Sequence, residues 1–319
     1  MDKFIKKNIF QRMKMSISEL EDYYKNLRRY QFEQRQPLKG IQLRKYTLGL
    51  YAMLLKLDRI LSHEKISLLK NESVKTKRPV VFAVTHVSGF DVARVYELLR
   101  PKAYMLFGDP GGIYKSPYGL LAFSIGWIPF DTSDKTEREI ATFRAEELLS
   151  RGGNVLIFPE GAWNFSDELP VRHIYNGAAR IALHTNAEII PIAIELYGRK
   201  WYVNVGKNID PVSLALTDEV SLTEYLRNQL ATLKWEIWEQ APEAQQVTGT
   251  EKAAWEERIR GLCVMGDDFS TDPDFAIRFL YHDATDTLYK QRFSHLDQII
   301  PRFETAFLFN KRNHNWRGY

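Results

Sequence analysis

Between Val80 and Val205 the chain alternates short β-rich apolar runs with longer stretches whose apolar residues recur every three or four positions. The runs are Val80–Val84, Ala103–Phe107, Val155–Phe158, Ile189–Ile194 and Trp201–Val205. The helical stretches are Val92–Leu99, Thr136–Leu149 and Gly177–His184, and the second closes on Gly152 and Gly153. Runs without polar alternation are buried on both faces, so the pattern predicts an α/β fold: a mixed, largely buried β-sheet flanked by helices. Ahead of it, Leu20, Tyr23, Tyr24, Leu27 and Tyr30 recur at helical spacing within Ser16–Gln34. A second helix over about 42–62 follows Pro37 and Gly40, which together predicts a helical hairpin. The polar stretch Leu68–Arg78 reads as the approach to the sheet. After Pro211 amphipathic patterns return at Leu222–Trp238 and Ala253–Leu262, and the tail from Asp274 mixes aromatics with charge. Three segments follow: a helical arm over 1–64, a sheet domain over 65–212 and a helical extension over 213–319.

Charge changes the reading of the arm. Net charge is +4 over 319 residues, yet residues 1–45 hold twelve Lys or Arg against five Asp or Glu, so the remainder is net acidic. Phe4, Ile5, Ile9 and Phe10 lie among Lys3, Lys6, Lys7 and Arg12, the two-faced composition of a helix lying in a lipid interface. A solvated helix face is an equal reading of this segment alone. The most apolar stretch, Tyr46–Leu61, is interrupted by Lys56, Asp58 and Arg59 and falls short of the ~20 residues that span a bilayer. The N-terminus lacks a signal-peptide pattern. The single cysteine, Cys263, closes no disulfide within the chain and fits a reducing compartment. His184, His282, His295 and His314 lack metal-ligand spacing, so no metal is expected. With the basic charge confined to the arm and no recognition motif elsewhere, nucleic acid is not an expected partner.

Two strand ends carry the candidate chemistry. Val80–Val84 runs into Thr85-His86-Val87-Ser88-Gly89-Phe90-Asp91, which places His86 where a buried strand ends and Asp91 where a helix begins. On a continuous helix residues five apart point about 140° away from one another, so a bend, which Gly89 permits, must bring the pair together. A carboxylate on one imidazole nitrogen makes the other a general base. His86 as a helix cap, with Asp91 merely in the first turn, remains an equal reading of this heptapeptide. Val155-Leu156-Ile157-Phe158-Pro159-Glu160-Gly161 is a second strand ending in a turn, where Glu160 offers a carboxylate for acceptor hydroxyls and the N–H groups about Gly161 offer oxyanion donors. An ordinary turn with an exposed glutamate is the commoner meaning of Pro-Glu-Gly.

Taken in order, these blocks resemble the glycerolipid acyltransferase family of the lysophosphatidate type: THVSGFD, then Gly126-Trp127-Ile128-Pro129-Phe130-Asp131, then FPEG, then Ile190-Pro191-Ile192-Ala193-Ile194. The resemblance covers roughly 75–210. It implies that His86 is the general base and Asp91 its support. It further implies that the Glu160–Gly161 turn shapes acceptor binding; Ser88, Asp131, Thr132, Phe158, Pro159, Trp163, Asn164 and Arg172 are the other candidates for the substrate site. The donor is acyl-CoA or acyl carrier protein as co-substrate, with no other cofactor, and the acceptor is a lysolipid. With the basic, two-faced arm, the expected location is the cytoplasmic face of a membrane, peripheral or monotopic. Members that bind glycerol phosphates usually carry an arginine after the second-block aspartate and another two residues beyond FPEG. Thr132 and Trp163 stand there instead, which argues against a phosphate-monoester acceptor. Trp163 suits stacking on a sugar or acyl chain, Asn164 suits a neutral polar group, and Arg172, His173, Lys135 or Arg138 can replace lost charge. The rival expectation is a lipid-binding scaffold that keeps the fold without turnover.

Overall fold

The computed structural model describes residues 4–100, 102–108, 110–115, 126–161, 163–164, 170–172 and 174–241. The stretch 253–262 expected to be helical, the tail from Asp274, Cys263 and His173 lie outside them. Helices α1 (Ile9–Met13), α2 (Ile17–Glu33) and α3 (Ile41–Leu61) precede the alternating region. That region comprises β1 (Lys65–Asn71), β2 (Val80–Val84), α4 (Asp91–Leu99), β3 (Ala103–Gly108), β4 (Trp127–Phe130), α5 (Lys135–Ser150), β5 (Asn154–Ile157), α6 (Gly177–Thr185), β6 (Glu188–Tyr197) and β7 (Lys200–Val205). Helix α7 (Glu219–Gln240) follows.

The seven strands form one sheet in the order β1-β7-β6-β2-β5-β3-β4, parallel throughout except for the β6–β7 hairpin. Side chains alternate across it. Val81, Ala83, Val155 and Ile189 point to α5, α6 and α7, while Val80, Val84, Leu156, Ile190 and Ile192 point to α3 and α4. The expected mixed and buried sheet is therefore the observed one, with its apolar runs at its centre. Two strands escaped the pattern. β1, taken for an approach segment, is an edge strand with most of its positions exposed, and β4 is a four-residue edge; neither has a buried face long enough to show periodicity.

The two expected N-terminal helices are each seated on this body. Ser16 and Glu19 form a reciprocal capping box that starts α2. Basic residues of α2 then meet acids at the β4 edge and on α5: Lys25 Nζ lies 2.7 Å from Asp131 and 2.9 Å from Asp134, and Arg28 Nε donates to Glu137 at 2.6 Å. Glu137 is fully buried, so Arg28 supplies the charge without which it would be costly to bury. Much of the arm's positive charge is thus engaged within the fold. Phe4 packs on Tyr23 and Tyr30, while Ile5, Ile9 and Phe10 are exposed.

Pairing with Lys25 holds the Asp131 carboxyl at about 2, and the same ammonium lowers Asp134. Because both values are depressed on folding, the contact contributes above the ordinary carboxylate range and fades as pH falls through it toward 2. Hydrogen exchange should show α2 amides losing protection between about pH 4 and 2 ahead of the central strands. Simultaneous loss in both would show that these pairs do not hold the arm.

Candidate active site

β2 and β5 are parallel neighbours, so the loops that follow them emerge at the same end of the sheet. The chain leaves β2 toward α4 on one face and leaves β5 toward α6 on the other. The carboxyl ends of adjacent strands with such exits are where open α/β sheets bind ligands. His86 and the turn 158–161 stand side by side there.

His86 Nδ1 is 2.7 Å from Asp91 Oδ2. The loop bends as expected, and the bend is fixed by the carboxylate itself: the same Oδ2 accepts the N–H groups of Val87 and Ser88, while Oδ1 accepts that of Val92. Asp91, fully buried in the first turn of α4, therefore both organises the helix start and orients the imidazole. An ionised carboxylate only accepts, so Nδ1 carries the proton and Nε2 is the basic atom. Nε2 makes no hydrogen bond with any described residue. The ring stacks on Phe158 at 4.1 Å between centroids, meets Trp163 edge-on at 5.9 Å, and remains 18% exposed.

Glu160 departs from expectation. It is fully buried rather than facing an acceptor, with Oε1 accepting the His86 N–H at 3.0 Å and Oε2 the Arg172 N–H at 2.8 Å. Burial pushes its carboxyl above the usual range, and these two N–H groups, with Lys234 and Arg172 nearby, oppose that rise. The Asn164 N–H donates to the His86 carbonyl at 2.6 Å, so the two loops are tied together on both sides of the histidine. The expected oxyanion donor at Gly161 is also occupied, since its N–H closes the turn onto the Phe158 carbonyl.

The remaining expected residues divide by position. Phe158, Trp163 and Asn164 surround His86, Pro159 is buried in the turn, and Ser88 is buried with its hydroxyl accepting from Phe90 N–H. Arg172 directs Nη1 to the Trp163 carbonyl at 3.2 Å. Asp131 and Thr132 are not brought to the histidine: β4 lies two strands from β5, about 10 Å away. Asp131 is held by Lys25 and Ser133, and the Thr132 carbonyl by Arg138. Sequence reasoning missed Thr85, whose hydroxyl takes the Ile194 N–H at 3.0 Å and anchors the end of β2 to β6.

A profile of the acyltransferase family matches residues 65–195. This part of the chain is similar to that family. The matched region opens at β1, ends within β6 and contains His86, Asp91 and Glu160. A 1-acyl-sn-glycerol-3-phosphate acyltransferase of Chlamydomonas reinhardtii is 23% identical over 131 residues, which span 41% of this chain and 38% of that protein. In fold the domain is similar to the crystal structure of the 1-acyl-sn-glycerophosphate acyltransferase PlsC from Thermotoga maritima. That comparison has a TM-score of 0.51 at 16% identity, covering 69% of this chain and 88% of that one.

Gly161 has φ +67°, and a Cβ there would stand 2.6 Å from the Tyr175 ring. Gly161→Ala combines left-handed strain with a clash in the turn after β5 and should cost about 1–3 kcal/mol in a denaturant titration. An unchanged midpoint would show that the turn has another way to relax.

Proposed function

We propose that the protein transfers an acyl group from a thioester of CoA or acyl carrier protein to a hydroxyl or amine of a lysolipid-like acceptor, with His86 as general base. The contact between His86 Nδ1 and Asp91 carries this reading, because it leaves Nε2 basic on a ring that is 18% exposed. As the acceptor oxygen or nitrogen bonds to the thioester carbonyl carbon, Nε2 takes its proton. The tetrahedral intermediate then expels the thiolate, which regains that proton from the imidazolium, so ester or amide and free thiol leave with no covalent enzyme intermediate. Asp91 stabilises the imidazolium in between.

Its acceptor carries a head group other than a phosphate monoester. In support, Thr132 and Trp163 occupy the positions where related sequences place guanidinium groups, and Arg172 is turned to a backbone carbonyl. The relatives named above act on 1-acyl-glycerol phosphates, so the divergence lies in the acceptor. Assays of purified protein with acyl-CoA should show preference for neutral or zwitterionic lysolipids over lysophosphatidate; the reverse preference would refute this acceptor. His86→Ala should lower turnover by about 10²–10⁴-fold while folding and lipid binding persist. A wild-type protein that binds lysolipid without turnover would favour the scaffold reading.

The reaction takes place at a membrane surface. Among the described residues no helix is long and apolar enough to cross a membrane. However, α3 turns Leu43, Leu50, Met53, Leu54, Leu57, Ile60 and Leu61 outward, each 46–70% exposed. This helix packs on the sheet face that also bears the His86 ring, which places an apolar surface beside the site that receives an acyl chain. Leu54→Glu with Leu57→Glu should abolish sedimentation with anionic vesicles and leave the melting temperature nearly unchanged; retained binding would move the docking surface elsewhere.

A further inference from the structure

Asp91 is the first residue of α4, and one turn later the same helix carries Arg94, whose side chain is 1% exposed. A guanidinium cannot shed its charge, so it is buried only where several acceptors meet it. Its hydrogen bonds run to the C-terminal end of α3 and the turn beyond it. Arg94 Nε donates to Glu64 Oε2 at 2.7 Å, Nη2 to Asp58 Oδ2 at 3.1 Å and Nη1 to the Leu55 carbonyl at 3.4 Å. Glu64 Oε2 also accepts Trp201 Nε1 at 2.7 Å, and Trp201 is buried in β7, so the junction is fastened to the sheet as well. A second guanidinium closes it: Arg59 of α3 donates to Glu97 of α4 at 2.8 and 3.0 Å and to the Glu64 carbonyl at 3.0 Å.

This joint supplies what apolar packing does not. Val95 and Tyr96 press α4 onto the sheet, and Tyr51 of α3 meets Tyr96 edge-on at 6.2 Å. Apolar contact resists separation but has no direction, so by itself it lets a helix of nine residues slide or turn. A planar guanidinium held through all three of its nitrogens prevents both. Asp91 and Arg94 lie three residues apart on one face of α4. A slide or turn of that helix therefore displaces the carboxylate whose Oδ2 stands 2.7 Å from His86 Nδ1.

We propose that Arg94 is a positioning residue: by fixing α4 to α3 it holds the Asp91 carboxylate against the imidazole, which keeps the proton on Nδ1 and leaves Nε2 to act as the base. The proposal deepens the acyl-transfer reading and rests on it only for its rate measurement.

The test uses full-length protein labelled with ¹⁵N-histidine. The two ring nitrogens of His86, assigned by comparison with His86→Gln, report where the proton resides when the imidazole is neutral. In wild-type protein it should reside on Nδ1. Arg94→Lys keeps the charge but cannot span Leu55, Asp58 and Glu64 together, so the ring should revert in part to the Nε2–H form that free imidazole side chains favour in water. Its kcat should fall about 10–100-fold with KM nearly unchanged, as a misplaced base predicts. Glu64→Gln, which weakens one partner of the guanidinium, should move both readings in the same direction by a smaller amount. A ring that keeps the wild-type Nδ1–H form in Arg94→Lys would overturn the proposal whatever the rate does, leaving Arg94 only a counter-charge for the acids around it. If Arg94→Lys does not fold, an unchanged ring signal in Glu64→Gln overturns it alone. Wild-type protein that shows no transfer would refute the acyl-transfer reading, while the ring signals would still decide the role of Arg94.

Discussion

The backbone N–H of His86 lies just past the last ladder bond of β2, where the sheet has no acceptor for it, and the carboxylate of Glu160 provides one. That bond is the constraint on which the site depends. Two strand ends that diverge to opposite faces would otherwise leave two independent loops. The second Glu160 oxygen and the Asn164 N–H make them one unit, in which an imidazole keeps a fixed direction. Orientation of this kind is what a general base requires, since proton transfer depends first on geometry.

Asp91 and Glu160 divide the work between two buried carboxylates. Asp91 acts on the ring, fixing which nitrogen is basic, and Glu160 acts on the backbone, fixing where the ring stands. Each is satisfied mainly by backbone donors, which side-chain substitution cannot remove. Phe158 and Trp163 then form an aromatic wall around the imidazole. A wall of this kind admits apolar chains and disfavours a free phosphate dianion.

Much of this was legible in the chain. The apolar runs marked β2, β3, β5, β6 and β7 because central strands are buried on both faces, and Gly89 after a buried strand signalled the turn that joins His86 to Asp91. Other parts were not. β1 and β4 are edges, whose exposed or short faces carry little pattern. Glu160 read as an exposed turn residue because a sequence does not show which backbone N–H groups lack partners. Asp131 read as a site residue because its neighbours matched a block, whereas Lys25, more than a hundred positions earlier, is what holds it. Contacts at such separation are set by the packing of α2, and local spacing does not encode them.

The two borders of the sheet are finished differently. At β4, helix α2 and its cations cover the last strand's surroundings. At β1 the outermost strand leaves most of its side chains in water and places Lys65 and Lys70 along it. Charged side chains on such a rim discourage another molecule from adding a strand of its own. A protein that exposes a row of apolar side chains along α3 thus keeps its sheet from becoming a nucleus for self-association.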